Sequence, residues 1–459
     1  MEFRVEKDVL GEVKVPKDAY YGSETQRAFE NFPVSGHHLQ KAIIRNYAIL
    51  KKAAALANMR AGKLDKKLCP VICDACDEVA AGKFDDQFVV DAFQAGAGTS
   101  TNMNVNEVVA NRAVELLKGR RGDYKLIHPN DHVNMSQSTN DTFHCVEHMA
   151  MYEGIHKELL PALEELKAAL GAKSKEFADI VKVGRTHLQD AVPMTLGQEF
   201  SGYATAIDTV MHHLSQSSDA LLEIPLGGTA LGTGINTPKD YSKYAIDELR
   251  KSTGFKFTQS GNLFGSMQNQ LDELRAAGGL REVAVTLGKI ANDMRLLSSG
   301  PRTAISEIVL PPVQPGSSIM PGKINPSMAE MLNQVCFHAL GNCYAVEAAA
   351  AGGQLELNVF MPVIAYNIVF AIGILSNGTR AFTKRCIVGI KPNRVAISKY
   401  VTMNISTATA LSPHIGYAKA ADIARTAYLE DKSVMQVCLE MKVLPKEKLE
   451  QILDPSKQI

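Results

Sequence analysis

The chain carries no excess of charge. Its 49 Asp and Glu residues are matched by 49 Lys and Arg, which leaves no footprint for nucleic acid or for an anionic membrane surface. No uninterrupted run of about 18 apolar residues is present, so a membrane span is not expected. The opening MEFRVEKDVLGEVKV has charges where a secretory leader needs an apolar stretch. Paired cysteines are scarce as well. The eight thiols, Cys69, Cys73, Cys76, Cys145, Cys336, Cys343, Cys386 and Cys438, are scattered, a usage that fits reduced thiols and a cytoplasmic setting. Cys73 and Cys76 form a C-x-x-C, but no second paired motif completes a zinc site. The spacing of Cys69, Cys73 and Cys76 puts all three on one helix face and predicts core packing.

Several reaction classes lack their signatures. The segment from Gly316 to Lys323 is one residue too long for a phosphate-binding loop, and Ile324 stands where a metal-binding hydroxyl is required. GTGINT (232–237) and GAGTST (96–101) lack the third glycine of a dinucleotide fingerprint, and no βαβ pattern surrounds them. Neither G-x-S-x-G nor H-E-x-x-H occurs. His128 and His132 have the spacing of a helical metal pair, but Pro129 disfavours a helix there.

What is there is a strong helical period. Leu280, Ala284, Leu287, Ala291, Met294 and Leu297 step by four and three, as do Ile155, Leu159, Leu163, Leu166 and Leu170. Both runs predict long amphipathic helices. Residues 333–350 and 358–375 are apolar on most faces, as helices buried in a bundle or between subunits are. Strand signals are few and short, such as VKVP near the start. At 459 residues the chain is too long for one compact core. Breaks in the pattern divide it into an N-terminal domain (1–137), a central helical bundle (138–390) and a small C-terminal helical domain (391–459).

Four polar patches interrupt the helices: QAGAGTSTNMNVNE (94–107), HPNDHVNMSQSTND (128–141), GRTHLQD (184–190) and GSSIMPGKIN (316–325). They are read as loops, and long polar loops persist where they do something. Capping accounts for one or two hydroxyls in each. It does not account for His187, Lys323 and whole runs of neighbouring hydroxyls and amides. Such donors suit a small dicarboxylate and a transition state that gathers negative charge on oxygen. A Gly-rich loop carrying a serine can close over the substrate and exclude water. That serine acts as a base only if its pKa is greatly lowered, which Lys323 and backbone N–H groups can do by stabilising the alkoxide.

GSSIMPGKIN closely resembles the signature loop of the fumarase/aspartase superfamily of lyases. QAGAGTSTNMNVNEV, HPNDHVNMSQSTND, GRTHLQDAVPMTLGQEF, GGTALGTGINT and LLSSGPR resemble that family in its order across almost the whole chain. The resemblance implies a mainly α, three-domain fold whose long central bundle forms the core of a homotetramer, with each active site built from three subunits. It implies abstraction of a proton beside a carboxylate, an aci-carboxylate intermediate, and release of fumarate, with no cofactor required, no metal in the site, and a divalent cation as an activator in some members. By position, Ser317 matches the base. Ser318, Lys323 and Asn325 match substrate contacts on the same loop. Thr99, Ser138, Thr139 and Asn140 match carboxylate and leaving-group contacts. Thr186 and His187 match further contacts, and Glu330 matches the carboxylate that partners this histidine. His128, Asn130 and Asp131 match an accessory dicarboxylate site.

Two leaving groups divide the family. Ala97-Gly98-Thr99, Ser138-Thr139-Asn140-Asp141, DAYYG, SMAEMLNQVCF and GGQLELNV lean towards ammonia and L-aspartate. His187, TQRA, KPNR and HIGYAKAA lean towards water and L-malate. Ammonia elimination is the expectation and fumarate hydration the alternative. A non-catalytic scaffold is the remote third reading, and the intact Ser317, Lys323, Asn325, Thr186 and His187 argue against it. Phe143-His144-Cys145 departs from the family's aromatic-Pro-Thr, and His144 is expected to be a packed helix-start residue.

Overall fold

A computed structural model describes residues 2–459. The protein is mainly helical, as expected. Strand is confined to short pairs. VKVP lies in β2 (Gly11–Pro16), antiparallel to β1 (Phe3–Asp8). GRTHLQD is not a plain loop: its residues belong to an antiparallel hairpin of β3 (Val181–Thr186) and β4 (Gln189–Thr195). The β-branched residues of VKV and AVPMT, which flank the polar motif, make that pairing favourable.

The chain falls into two compact units. One comprises the chain up to Leu160 with His212–Glu282 and His338–Leu375. The other comprises Pro161–Met211, Val283–Phe337 and Ser376–Ile459. The first holds α1 (Ser23–Asn31), α2 (Lys41–Arg60), α3 (Leu68–Ala80), α4 (Thr99–Leu116) and α5 (Thr139–Gly154). The second holds nearly all of α6 (Leu160–Glu176). Helix α7 (Leu196–Ser218) contributes to both, α8 (Tyr241–Thr253) and α9 (Leu263–Gln268) to the first, and α10 (Leu271–Leu297), α11 (Ser327–Ala351) and α12 (Met361–Arg385) to both. Short helices from Ile405 onward pack around Leu411, Ile423, Val437 and Leu449.

The apolar stripes lie where the period puts them. Leu280, Ala284, Leu287, Ala291 and Met294 of α10 are all buried, as are Ile155, Leu159, Leu163, Leu166 and Leu170. The second stripe runs through a π-turn at Ile155–Leu159 that joins α5 to α6. Cys69, Cys73 and Cys76 share the buried face of α3 with Ile72 and Val79, and all eight cysteines are free and buried. Helix α12 is the apolar, largely buried helix expected over 358–375. Asn367 and Ser376 break its apolar run, yet Met361–Gly389 is long and apolar enough on average to cross a membrane. Its most apolar window is 67% buried inside the protein, which marks a core helix.

The patch at 94–107 is another correction. From Thr99 onward it is helical, and Asn102, Asn104, Asn106 and Glu107 are buried in α4 rather than displayed on a loop. Their polar groups mostly hold the chain together. Glu107 accepts from Gly22 N, Glu24 N, Thr25 N and Thr25 Oγ1, tying the start of α1 to α4, and Asn104 donates to the Gln87 carbonyl. A buried polar helix face is stable only when satisfied in this way.

Candidate active site

Two helix starts meet in the first unit. Helix α4 begins at the exposed Thr99, directly after Gly98 at φ +80°. A Cβ at Gly98 would fall 2.0 Å from the Phe143 ring of α5, so glycine alone allows this approach. Helix α5 opens with a capping box. Ser138 Oγ accepts from Asn140 N at 3.2 Å, and Asp141 Oδ1 accepts from Ser138 N at 2.9 Å. The second Asp141 oxygen accepts from Gly227 N at 2.9 Å and Thr229 N at 3.2 Å, and Asn140 Nδ2 donates to the Ala230 carbonyl at 2.7 Å. GGTALGTGINT is thereby strapped to the start of α5. Ser138, Asn130 and Thr229 line a cavity of about 300 Å³ between strap and helix. Two positive helix ends and a row of neutral polar groups make a corner whose chemistry suits a carboxylate.

Thr139 is buried, and its hydroxyl oxygen accepts from Asn102 Nδ2 at 3.0 Å. Asn102 Oδ1 in turn accepts from Lys51 Nζ at 2.8 Å, which also donates to Asn134 Oδ1 at 2.8 Å and Gln137 Oε1 at 2.9 Å. This fully buried lysine props the whole corner from behind. Burial lowers its pKa to about 7, against the pull of Asp141, whose own carboxyl burial raises to about 6 despite its hydrogen bonds and Lys51. Lys51 and Asn102 are not visible as isolated motifs. The available signal is periodic: Ile44, Ala48, Lys51 and Ala55 step by four, three and four, and all are buried, so Lys51 sits on the apolar stripe of α2. Its neighbour Lys52 points outward to Asp77.

The proposed accessory residues lie in one tight turn. Pro129–Val133 forms a π-turn, with Pro129 at its first position, where no N–H is needed. His128 Nδ1 accepts from Asn130 N at 3.1 Å and Asp131 N at 3.3 Å, and Asp131 Oδ2 lies 3.7 Å from it. His132 Nδ1 accepts from His128 N at 2.8 Å. The two histidines therefore cap a turn and do not converge as metal ligands.

In the second unit, Thr186 ends β3, and His187 and Leu188 form the two-residue hairpin turn with φ of +55° and +59°. Such a turn displays both side chains, and Thr186 and His187 are exposed. A cavity of about 940 Å³ begins at Leu188, Gln189 and Asp190 and extends to Tyr400 and Tyr428, but none of the residues matched above lines it. The 316–325 loop folds on itself. Gly316 N donates to the Lys323 carbonyl at 2.8 Å, and Asn325 Nδ2 donates to the Gly316 carbonyl at 2.7 Å. Inside that closure Ser317 Oγ accepts from Ile319 N at 3.2 Å and Met320 N at 3.0 Å. Ser317, Met320 and Lys323 line a cavity of about 430 Å³, with Ser318 and Lys323 exposed. Glu330 lies half-buried in the first turn of α11. Among the described residues no ion pair joins it to His187 within the chain.

Comparison with known proteins places the chain among lyases. A lyase family profile matches residues 11–341, and a fumarase C C-terminal profile matches residues 408–458. An aspartate ammonia-lyase of a Bacillus species is 46% identical over 99% of the chain and 97% of its own length. A class II fumarate hydratase of Bacillus subtilis is 44% identical over 100% and 99%. Among solved structures, a cobalt-bound fumarate lyase/delta crystallin from Brucella melitensis superposes with a TM-score of 0.95 at 46% identity, covering 99% of each chain. A class II fumarase from Schistosoma mansoni superposes at 0.96 with 37% identity, covering 99% of this chain and 98% of its own.

Proposed function

The chain belongs to the fumarase/aspartase family of lyases, and from that premise we propose that it eliminates ammonia from L-aspartate, reversibly, to give fumarate. One observation carries the chemistry: Ser317 Oγ already receives two backbone N–H groups inside a self-closed loop. Those donors favour the alkoxide over the hydroxyl, the condition for a serine to act as a base. In this reading the Ser317 alkoxide takes the proton from the carbon beside the substrate carboxylate, and the electron pair moves onto that carboxylate. Thr99, Ser138 and Asn140 at the two helix starts, with Thr186, Ser318, Lys323 and Asn325, hold the two carboxylates and the charge that develops. The intermediate then expels ammonia, helped by His187 with Glu330. Neither a redox nor a group-transfer cofactor is needed for this chemistry, and a divalent cation that acts on turnover does so as an activator.

Ala97 and Thr139 support ammonia as the leaving group. Ala97 brings no hydroxyl and so one donor fewer for a substrate carboxylate or hydroxyl, and Thr139, buried with its oxygen accepting from Asn102, adds a methyl that reshapes the leaving-group pocket. Each such difference is worth about 1–3 kcal/mol in discrimination. The second reading, hydration of fumarate to L-malate, draws on His187 and on the fumarase-type C-terminus.

The resemblance also carries a three-domain subunit, whose boundaries the breaks in the sequence pattern put at 137/138 and 390/391, an accessory dicarboxylate site at His128, Asn130 and Asp131, and a homotetramer with sites shared by three subunits. Phe337 (63% exposed) and Tyr344 (70%) on α11 support self-association, since large apolar side chains displayed on long helices are subunit-interface chemistry. So does the absence of a His187–Glu330 pair within one chain.

The test is a fumarate absorbance assay. Fumarate is expected to form from L-aspartate and not from L-malate. Ser317→Ala is expected to fold and assemble while losing about 10³-fold in kcat. Turnover of L-malate alone would make the enzyme a hydratase, and an active Ser317→Ala variant would remove the serine from its role.

A further inference from the structure

Away from these residues, the core of the first unit holds a second polar cluster. His144, Glu147 and His148 lie on one face of α5, at i, i+3 and i+4, and Glu273 enters from α10. Their exposures are 1%, 0%, 1% and 0%. Glu273 Oε1 is 2.7 Å from both His144 Nε2 and His148 Nε2. One ligand atom from each of His144, His148 and Glu273 falls within 4.8 Å of the others. His148 Nδ1 is 2.8 Å from the Glu223 carbonyl. A carbonyl only accepts, so that nitrogen carries the proton and Nε2 is the one aimed at the cluster. A ring N–H held by a backbone carbonyl is the arrangement that orients a metal-binding imidazole.

The cluster is also incompletely satisfied. Both Glu147 carboxylate oxygens, Glu273 Oε2 and His144 Nδ1 are buried with no hydrogen-bond partner. Three orphaned carboxylate oxygens in a dry core are costly unless something neutralises them. One divalent ion among His144, His148 and Glu273, with the Glu147 carboxylate buried on the same helix face, meets two imidazoles and balances two carboxylate charges. The order His144-x-x-Glu147-His148 is the inverted counterpart of H-E-x-x-H, a spacing that puts metal-ligand side chains on one helix face.

We propose that His144, His148 and Glu273 bind a divalent ion of the zinc and cobalt class, with the Glu147 carboxylate balancing its charge. Two nitrogens with carboxylate oxygen select that class over magnesium or calcium. Ligands about 2.0–2.2 Å from the ion stand farther apart than the present hydrogen bonds, so Glu273 retreats by about half an ångström as the ion replaces the bridging protons. The site is enclosed and lies along α5 from Ser138–Asn140, so the ion is structural: it pins α5 to α10 behind the carboxylate corner. It holds for either leaving group.

The test uses the full-length assembled protein. Metal analysis of the isolated protein, then cobalt(II) titration after chelator stripping, is expected to give one ion per chain, with visible ligand-field absorption of low-coordinate cobalt. Glu273→Gln and His148→Gln are expected to weaken cobalt binding at least tenfold, and Glu147→Gln to weaken it less. One equivalent of zinc is expected to raise the Tm of the stripped wild type. That shift alone decides the matter if the ligand variants do not fold. No uptake, no absorption band and no Tm shift in the wild type would overturn the proposal, as would a band that both ligand variants keep at unchanged affinity.

Discussion

Two residues show how much rests on single side chains. Gly98 sits at φ +80° with the Phe143 ring where a Cβ would go. Gly98→Ala adds left-handed strain to a clash with an aromatic ring that is itself buried, and is expected to cost about 2–4 kcal/mol, read as a lower midpoint in urea unfolding. Unchanged stability would mean that the two helix starts separate freely. Lys51 makes the pH argument. Burial lowers its folded-state pKa to about 7 from the ordinary 10.5. Between those values the unfolded chain holds a proton that the folded chain has released, so this group makes stability rise with pH across that window, by at most about 1.4 kcal/mol per pH unit. Lys51→Met removes that rise and leaves Asn102, Asn134 and Gln137 with unpaired acceptors, at a cost of roughly 2–4 kcal/mol. Unfolding free energies of both proteins at pH 7.5 and 9 check the sign: the gap between them is expected to widen at pH 9, and a narrowing gap contradicts it.

At the scale of elements, the 316–325 loop is the part whose shape is most directly testable. Its closure depends on the Gly316 backbone approaching Lys323. A Cβ at Gly316 would lie 2.4 Å from the Lys323 carbonyl oxygen and 2.9 Å from Asn325 N, and backbone atoms cannot swing away as a flexible side chain would. Gly316→Ala is therefore expected to displace Ser317 Oγ from its two N–H donors and to lower kcat by about 10²-fold, with Tm nearly unchanged because the loop is largely exposed. Full activity would show that closure is not required. The loop's chemistry was legible because its residue types are contiguous. The hairpin at His187 was not, since a polar tip masks the short strands on either side. The helical character of 99–107 was hidden for a related reason: its amides are buried in α4, and polarity alone read as exposure.

At the scale of the molecule, the reading requires Ser317 and His187 of different chains to meet. Neither Ser317→Ala nor His187→Asn is expected to turn over alone. Asn is the substitution of choice at 187 because it tolerates the left-handed turn. Unfolding the two inactive variants together and reassembling them is expected to restore a measurable fraction of activity, because some mixed sites then combine an intact Ser317 with an intact His187. No recovery from a properly reassembled mixture would mean that Ser317 and His187 of one site come from the same chain.

Sequence alone determined the helical architecture, the apolar stripes and the contiguous donor motifs, because each depends on neighbours within a few residues along the chain. Tertiary structure decided which polar groups remain free for substrate. It engaged the Thr139 hydroxyl with Asn102, turned Lys51 inward beneath the corner and placed Glu273 between two histidines of another helix. Those outcomes follow from burial and from contacts between distant segments, where desolvation penalises a donor or acceptor left without a partner, and no local pattern encodes which partner it meets.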